Sequence, residues 1–471
     1  MAMSVQRSTC VDLYKFADVF SVDRVRKACL QLIHKHFAEV TSSKEFCSLS
    51  VNQLTEIISH DKLEVKEETT VWEAVVRWLQ HSREDRLYHL PSILPHIRFN
   101  LLTSDDTAVI LEHPLIKEDP GSSEVVKNAA QKGNPNHKPR FGMMTEMALL
   151  FSISVHKRWG SNEMLYMNPQ EGMFFKIRCS NDPEVVAKTV TSDNDIYILT
   201  EASGSEDELF LFKYNQMDNE WEQKASVRRT RGDDRPRAEH LVEADGHLYY
   251  LARVVDQLAG KEEVFMAMER YNQRTDQWHS CTQLQLEGRY GRYDHGNQSN
   301  SFGVIKRYNV VSCDQCIYVF SDTEMHRYNP SQKLWCRLAM PTTFPELGIV
   351  VAMGTEIFCA EHRFSNVMVY DTETDSWRDH ELPTVDRVNQ DDQYYIAYSL
   401  FVLENHLHAL LSCRSETRIC VYDRSTATWS DAAGLPVLPP GHWQSAGPCP
   451  VARMYLPYIK TIVQHTHGFK K

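Results

Sequence analysis

The chain has 471 residues and a net charge of −12, from 51 Lys and Arg against 63 Asp and Glu. That length supports two or three domains with ordinary cores, and the acidic balance argues against a general nucleic-acid binder, because nothing offsets phosphate repulsion globally. No apolar run approaches the roughly 18–20 residues that span a bilayer, the opening Met1-Ala2-Met3-Ser4 carries no secretory stretch, and the twelve cysteines are scattered without a dense framework, which fits a reducing compartment. The expectation is a soluble, intracellular protein of the cytoplasm or nucleus, with neither membrane insertion nor nucleic-acid binding.

Residues 9 to about 116 are helical in pattern. Across residues 23–40, Val25, Cys29, Leu32, Ile33 and Phe37 form one apolar stripe, with Ser21 as the expected N-cap. A second helix is expected over residues 50–59, turning Leu54, Ile57 and Ile58 inward. A third, over residues 68–81, places Trp72, Val75, Val76 and Leu79 on one face. Pro91 and Pro95 then punctuate a short helix ending near Phe99. Residues 117–142 hold Gly, Pro, Asn and Lys; they read as a spacer, with one short helix over residues 122–131.

A signature then returns five times. Tyr214 and Trp221, Tyr271 and Trp278, Tyr328 and Trp335, Tyr370 and Trp377, and Tyr422 and Trp429 are each seven residues apart. The intervening residues are rich in Asn, Asp, Pro, Ser and Thr, which favour turns. A strand ending in Tyr, a tight turn and a strand opening with Trp make a hairpin whose aromatics meet across the strands. Met167 and Phe174 hold the two positions of a sixth, degenerate copy. Upstream of each full copy lies a second apolar strand, such as Ile196-Tyr197-Ile198 or Ile317-Tyr318-Val319, and before that another, as at residues 302–311 and 396–402. About four strands per unit, at a period of roughly 40–57 residues, read as a propeller blade. Blades need neighbours to bury both faces, so the ends of the ring must share a blade; residues 147–154 and 451–458 are the candidates.

These hairpins resemble kelch repeats, and six units would close a six-bladed propeller. The usual Gly-Gly pair after the second strand is replaced by Leu199-Thr200, Ala252-Arg253, Ser321-Asp322, Ala360-Glu361 and Leu411-Ser412. The N-terminal third resembles the BACK domain through Phe16-Ala17-Asp18, Lys35-His36-Phe37, Leu54-Thr55-Glu56-Ile57-Ile58, Val71-Trp72-Glu73-Ala74-Val75 and Ile97-Arg98-Phe99. Together they resemble BTB–BACK–kelch proteins over nearly the whole chain. Lys138-Pro139-Arg140-Phe141-Gly142-Met143 and the weak diglycines are most similar to the kelch-repeat-and-BTB-domain-containing subgroup. Family members open with a BTB domain and a helical pair that serve homodimerisation and cullin-3 docking. No BTB-like stretch is read in these residues, so the resemblance implies that this chain lacks most of that region and does not form a BTB-mediated homodimer.

Catalytic signatures are sparse. Cys313-Asp314-Gln315-Cys316 is a CxxC, but it enters a strand and has no second pair for zinc; a turn between two strands accounts for it. No HExxH, nucleophile elbow or phosphate-binding glycine loop is present, and no cofactor or metal is expected. Trp335-Cys336-Arg337-Leu338 fits a W-x-x-L pattern of autophagy adaptors, yet Trp335 is also the repeat's own hairpin Trp.

Binding is the expected role, through loops that join one blade to the next. Residues 227–240 carry Arg228, Arg229, Arg231, Arg235 and Arg237; residues 287–300 carry Arg289, Tyr290, Arg292 and Tyr293; residues 436–447 carry Trp443. Arg and Tyr anchor interfaces, and Arg forks suit an acidic peptide; the alternative is that long loops are charged because they are solvated. The expected architecture is multidomain α plus β: a helical BACK-like domain (1–116), a linker (117–142) and a six-bladed kelch-type β-propeller (143–471). The resemblance implies a non-catalytic substrate-recognition adaptor of a cullin-3 RING ubiquitin ligase, with the target protein on the propeller loops. The alternative is a BTB-less scaffold, cytoskeletal binder or competitor that binds partners without recruiting the ligase.

Overall fold

The computed structural model describes residues 6–132, 138–151, 163–168, 173–178, 185–202, 205–229, 239–258, 261–286, 308–321, 323–341, 347–361, 367–380, 396–412, 417–426, 428–431 and 449–459. The chain divides into two compact units, Met1–Thr145 with Tyr455–Pro457, and Glu146–Met454 with Tyr458–Lys471.

The first unit is helical: α1 (Cys10–Val19), α2 (Asp23–Lys35), α3 (Phe37–Val40), α4 (Val51–Ser59), α5 (Thr69–His81), α6 (Arg83–Arg86), α7 (Leu90–Ile93), α8 (Ser104–Glu112), α9 (Pro114–Lys117) and α10 (Pro120–Lys132). The expected stripes turn inward: Cys29, Ile33, Phe37, Leu54, Ile57, Ile58, Val75 and Leu79 are fully buried in one core. Ser50 caps α4 in a capping box with Gln53, its hydroxyl accepting the Gln53 amide. Two expectations fail locally. Ser21 does not cap α2; it takes a left-handed backbone (φ 52°) in the turn from α1, and Val22 precedes the helix without a side-chain cap. The helix expected over residues 23–40 breaks at His36 into α2 and α3.

A larger correction concerns the spacer. The short helix expected there is present as α10, but it packs onto the helical core, with Val126 and Ser122 fully buried. Beyond it, Phe141 and Gly142 donate their amides to the carbonyls of Asp61 and Leu63 at 3.0 and 3.2 Å. A Cβ on Gly142 would lie 2.3 Å from the Val65 nitrogen, so only glycine fits this approach. Arg140 is completely buried and directs all five of its N–H donors to acceptors: two to the Glu68 carboxylate at 2.6 Å each, and the others to the carbonyls of Ile58 (2.8 Å), His60 (3.1 Å) and His96 (3.2 Å). Glu68 also accepts the Arg98 amide at 3.0 Å, and Arg98 pairs with Asp61. Gly and Pro suggest a flexible segment by composition; one buried Arg and one close-packed Gly tie its end to the core instead.

The second unit is a six-bladed β-propeller. The closing blade takes β1 (Thr145–Phe151), β2 (Glu163–Asn168) and β3 (Met173–Arg178) from the start of the unit. The next four-stranded blades are β4 (Val185–Val190), β5 (Ile196–Ala202), β6 (Ser205–Asn215) and β7 (Glu220–Arg228), then β8 (Glu239–Ala244), β9 (His247–Leu258), β10 (Lys261–Asn272) and β11 (Gln277–Ser280), with β12 (Leu284–Leu286) added on β10. The last three are β13 (Asn309–Cys313), β14 (Cys316–Phe320), β15 (Met325–Asn329) and β16 (Leu334–Leu338); β17 (Leu347–Met353), β18 (Glu356–Glu361), β19 (Val367–Asp371) and β20 (Ser376–His380); and β21 (Ile396–Leu403), β22 (His406–Ser412), β23 (Thr417–Asp423) and β24 (Thr428–Asp431). The final strand, β25 (Val451–Met454), joins the first sheet beside β1 in the order β25-β1-β2-β3, which closes the ring with the two segments expected to share a blade.

The repeat's residue types follow from its geometry. All five Tyr–Trp pairs are directly opposed in the register, and Met167 opposes Phe174 in the closing blade. Their ring centroids lie 5.0–5.4 Å apart, an offset, tilted contact. The Asn or Asp after each Tyr accepts the backbone amide two residues on, at 2.8–3.0 Å. Asn219, Asp276, Lys333 and Asp375, each five residues after the Tyr, take φ values of 51–55°, a region that Asn and Asp tolerate best after Gly. Asn219 and Asp276 also accept the Tyr hydroxyl at 2.6 Å. Three of the Trp look outward from their own blades as well: Trp278, Trp335 and Trp377 donate Nε1–H to the carbonyls of Ala225, Thr282 and Ala339 on the preceding blade, at 2.9–3.1 Å. One residue type thus closes a hairpin and bolts two blades together.

The closing blade is tied on both sides. Asn194 and Arg453 exchange two hydrogen bonds of 2.7 Å through the Asn side chain and the Arg backbone, and Glu146 accepts the Glu404 amide at 2.8 Å.

Candidate protein-binding face

Each blade alternates strand direction, so connections from an outer strand to the next inner strand leave on the same side of the ring as connections between second and third strands. The two Arg-rich connections are of the first kind: one joins β7 to β8, the other joins β12 to β13. Arg231, Arg235, Arg237, Arg289, Tyr290, Arg292, Tyr293 and Trp443 lie outside the described residues; Arg228 and Arg229 lie within them.

These two neighbours have opposite fates. Arg228 ends β7 and is exposed. Arg229 continues the strand by donating its amide to Asp207 at 2.8 Å, and strand alternation turns its side chain inward. There Nε and Nη2 meet the two oxygens of Glu239 at 2.7 and 2.6 Å, and Nη1 meets Glu201 at 2.9 Å. Tyr250 donates its hydroxyl to the same Glu239 at 2.7 Å. The Glu239 hydrogen bonds raise the Arg229 pKa against the cost of burial, which holds the guanidinium charged. Arg229 was expected as a contact residue on the basis of its loop; its side chain is only 7% exposed and bridges two blades internally. The correction is physical: a fork-to-fork Arg–Glu pair, with a second carboxylate and a Tyr behind it, engages Nε, Nη1 and Nη2 and holds the buried guanidinium inward.

The same side of the ring gathers buried polar groups that sequence reasoning passed over. Thr200, Arg253 and Ser321, all at positions where the diglycine would stand, are buried. Ser321 accepts the Glu324 amide at 3.1 Å, and Glu324, itself 1% exposed, meets His326 Nε2 at 3.0 Å. His240, which follows Glu239, has its pKa lowered to about 4 by burial. The signal was in hand: a polar or charged side chain where the repeat leaves room for none must find a partner or face a ligand. Trp335 in the W-x-x-L stretch packs on Tyr328 and donates to Thr282, so its ring serves the blade.

On the helical unit, Phe16, Val19, Phe20 and Val22 are exposed at 57, 73, 62 and 39%, and the two Phe rings lie 4.4 Å apart. Contiguous apolar exposure of this kind marks contact surfaces. Beside it, Arg26 bridges Asp18 and Glu56, and Tyr14 donates to Glu56. Among the described residues, no group of three or more His, Cys, Asp or Glu is arranged to hold a metal ion, and no helix is long and apolar enough to cross a membrane.

A helical region leading into a six-bladed ring of Tyr–Trp hairpins is the architecture of BACK and kelch-repeat proteins. Comparison with known proteins bears out the resemblance read from the sequence. Residues 10–111 match the family model described as BACK, BTB And C-terminal Kelch. The chain is 27% identical to Kelch repeat and BTB domain-containing protein 2 of Pongo abelii over 75% of this chain and 55% of that protein. It is 25% identical to human Kelch repeat and BTB domain-containing protein 8 over 86% of this chain and 65% of the relative. It is 27% identical to rat Kelch-like protein 7 over 47% of this chain and 38% of the relative. The chain therefore matches between about half and two thirds of the length of the first two relatives.

Proposed function

We propose that this chain is the target-recognition part of a cullin-3 ubiquitin ligase adaptor. The observation that carries the reading is the union, in one chain, of a region matching the BACK family with a six-bladed ring whose inter-blade connections leave on one side. The relatives' names pair kelch repeats with a BTB domain. In this reading the ring holds a target protein, other components of the ligase transfer ubiquitin, and no residue of this chain takes part in that transfer.

Target contact is assigned to Arg228, Arg231, Arg235, Arg289, Tyr290, Arg292, Tyr293 and Trp443, with Arg229 as the internal brace beneath them. Arginine forks and aromatic rings on an otherwise acidic protein suit an acidic peptide segment. The exposed apolar surface of α1 around Phe16 and Phe20 is assigned to the ligase side.

The deciding experiment is calorimetric titration of the chain with the cullin-3 N-terminal domain, with a BTB-bearing relative as positive control. Binding at micromolar or tighter affinity, about −8 kcal/mol, weakened by joint Phe16→Ser and Phe20→Ser replacement, supports the adaptor reading. No detectable heat refutes ligase contact and leaves a propeller that holds partners without recruiting the ligase.

A further inference from the structure

One pair of side chains is used by nothing above. Cys313 closes β13, Cys316 opens β14, and the register sets them directly opposite each other. Between them, Asp314 and Gln315 take φ values of 45° and 61°, the two left-handed positions of the tight turn that joins hairpin strands. Opposed residues of an antiparallel pair project from the same face with Cα atoms about 4.5–5.5 Å apart, inside the roughly 4.4–6.8 Å that a disulfide spans. Both are free thiols. Cys313 is buried among Tyr318, Ile357 and Tyr370 at the seam between the β13–β16 and β17–β20 blades, and Cys316 lies half-buried at its margin. Across that seam the Cys313 thiol donates to the Gly354 carbonyl at 3.3 Å. Elsewhere, Cys359 opposes Met368 and Cys420 opposes Ala409.

We propose that Cys313 and Cys316 form a reversible dithiol–disulfide site that is oxidised by small-molecule disulfides of the glutathione type, and that its oxidation loosens the seam between the two blades. The Cys316 thiolate attacks one sulfur of glutathione disulfide, forming a mixed disulfide and releasing one glutathione thiolate. Cys313 then loses its proton and attacks Cys316 Sγ, expelling the second glutathione thiolate and forming the Cys313–Cys316 bond. Two protein thiols are oxidised, one small disulfide is reduced, and the two protons leave on the two released glutathiones. The thiol hydrogen given to Gly354 is lost in the process.

The surroundings set the pace. Burial raises both thiols, Cys313 to about 11; Asp314 adds to this at both, and Asp245 at Cys316, while Arg327 favours the Cys316 thiolate and Thr372 that of Cys313. Exchange is therefore slow at neutral pH and accelerates with alkalinity, because the thiolate is the nucleophile.

The test incubates the reduced full chain with glutathione disulfide at several pH values, blocks residual thiols with N-ethylmaleimide and maps the peptides. The expected product is an internal Cys313–Cys316 link whose rate rises up to about tenfold per pH unit. Exposed Cys336 serves as comparator and stops at the mixed disulfide, as Cys316 does in Cys313→Ser. Hydrogen exchange is expected to quicken around the β17–β18 turn in the oxidised wild type, and to stay unchanged in Cys313→Ser/Cys316→Ser treated alike. Accumulation of glutathione on Cys316 without the internal link, or protection of both thiols while Cys336 reacts, overturns the site. An internal link with unchanged exchange at that turn overturns the loosening.

Discussion

Replacing Arg140 with Met tests the strongest claim about the helical unit. The substitution keeps an unbranched side chain of similar reach but removes the charge and all five donors. Glu68, with 0% side-chain exposure, is then left as a buried carboxylate without its counter-charge, and the carbonyls of Ile58, His60 and His96 each lose a donor. Breaking a buried pair from one side costs about 3–5 kcal/mol. For a unit of this size, at about 2–4 °C per kcal/mol, the melting transition of the helical unit falls by roughly 6–20 °C. Scanning calorimetry of the full chain, with hydrogen exchange to assign the transition, measures this. The double variant Glu68→Met/Arg140→Met is the control: with neither charge buried alone, its loss falls short of the sum of the single losses by about 1–3 kcal/mol. A single-variant loss below about 1 kcal/mol, or additivity of the two replacements, would refute the reasoning that this pair ties the end of the 117–142 segment to the core.

Four other outcomes follow from the geometry. Gly142→Ala drives a Cβ into the backbone at Val65; urea unfolding should show a loss above about 1 kcal/mol, together with faster exchange at the Phe141 and Gly142 amides. Trp278→Phe and Trp377→Phe keep an aromatic ring but delete the bond to the preceding blade; each should cost about 0.5–1.5 kcal/mol beyond the loss of ring area, read by denaturant titration of the propeller transition. His34 and His380 have pKa values lowered to about 3 and about 4, first by burial and then by neighbouring charge. The unfolded chain binds these protons near pH 6.5 and the folded chain does not, so stability is complete above that value. It declines by about 1.4 kcal/mol per pH unit for each group as pH falls toward 4; His34→Gln and His380→Gln should flatten the measured slope. Finally, joint replacement of Arg228, Arg231, Arg289 and Arg292 by Ser should abolish target capture, scored by quantitative proteomics against the wild type, without lowering the melting temperature. Arg229→Ser should lower the melting temperature instead, because it strands Glu239.

The sequence alone decided whatever depends on neighbours in the chain. Tyr and Trp seven apart with Asn or Asp after the Tyr specify a hairpin, because the turn's amide acceptor and left-handed residue lie within the same eight residues. The stripes through Cys29, Ile33 and Leu54, Ile57 specify buried helices for the same local reason. Even the blade shared by the strands Thr145–Phe151 and Val451–Met454 follows, because a ring of incomplete units leaves open edges otherwise.

What tertiary structure decided are the pairings between distant residues. Arg228 and Arg229 are the same residue type side by side, and only the strand's phase and the carboxylates of Glu201 and Glu239 separate a surface charge from an internal brace. Residues 120–142 have the composition of a spacer, yet Glu68, 72 positions before Arg140, provides the charge that fastens their end. The Tyr–Trp spacing announces a hairpin but not that the indole nitrogen of Trp278 reaches Ala225, 53 residues earlier, on another blade. Local sequence carries turn geometry and periodicity in its order; the desolvation of a charge or donor depends on which distant groups the fold brings beside it, and that is settled only when the chain has packed.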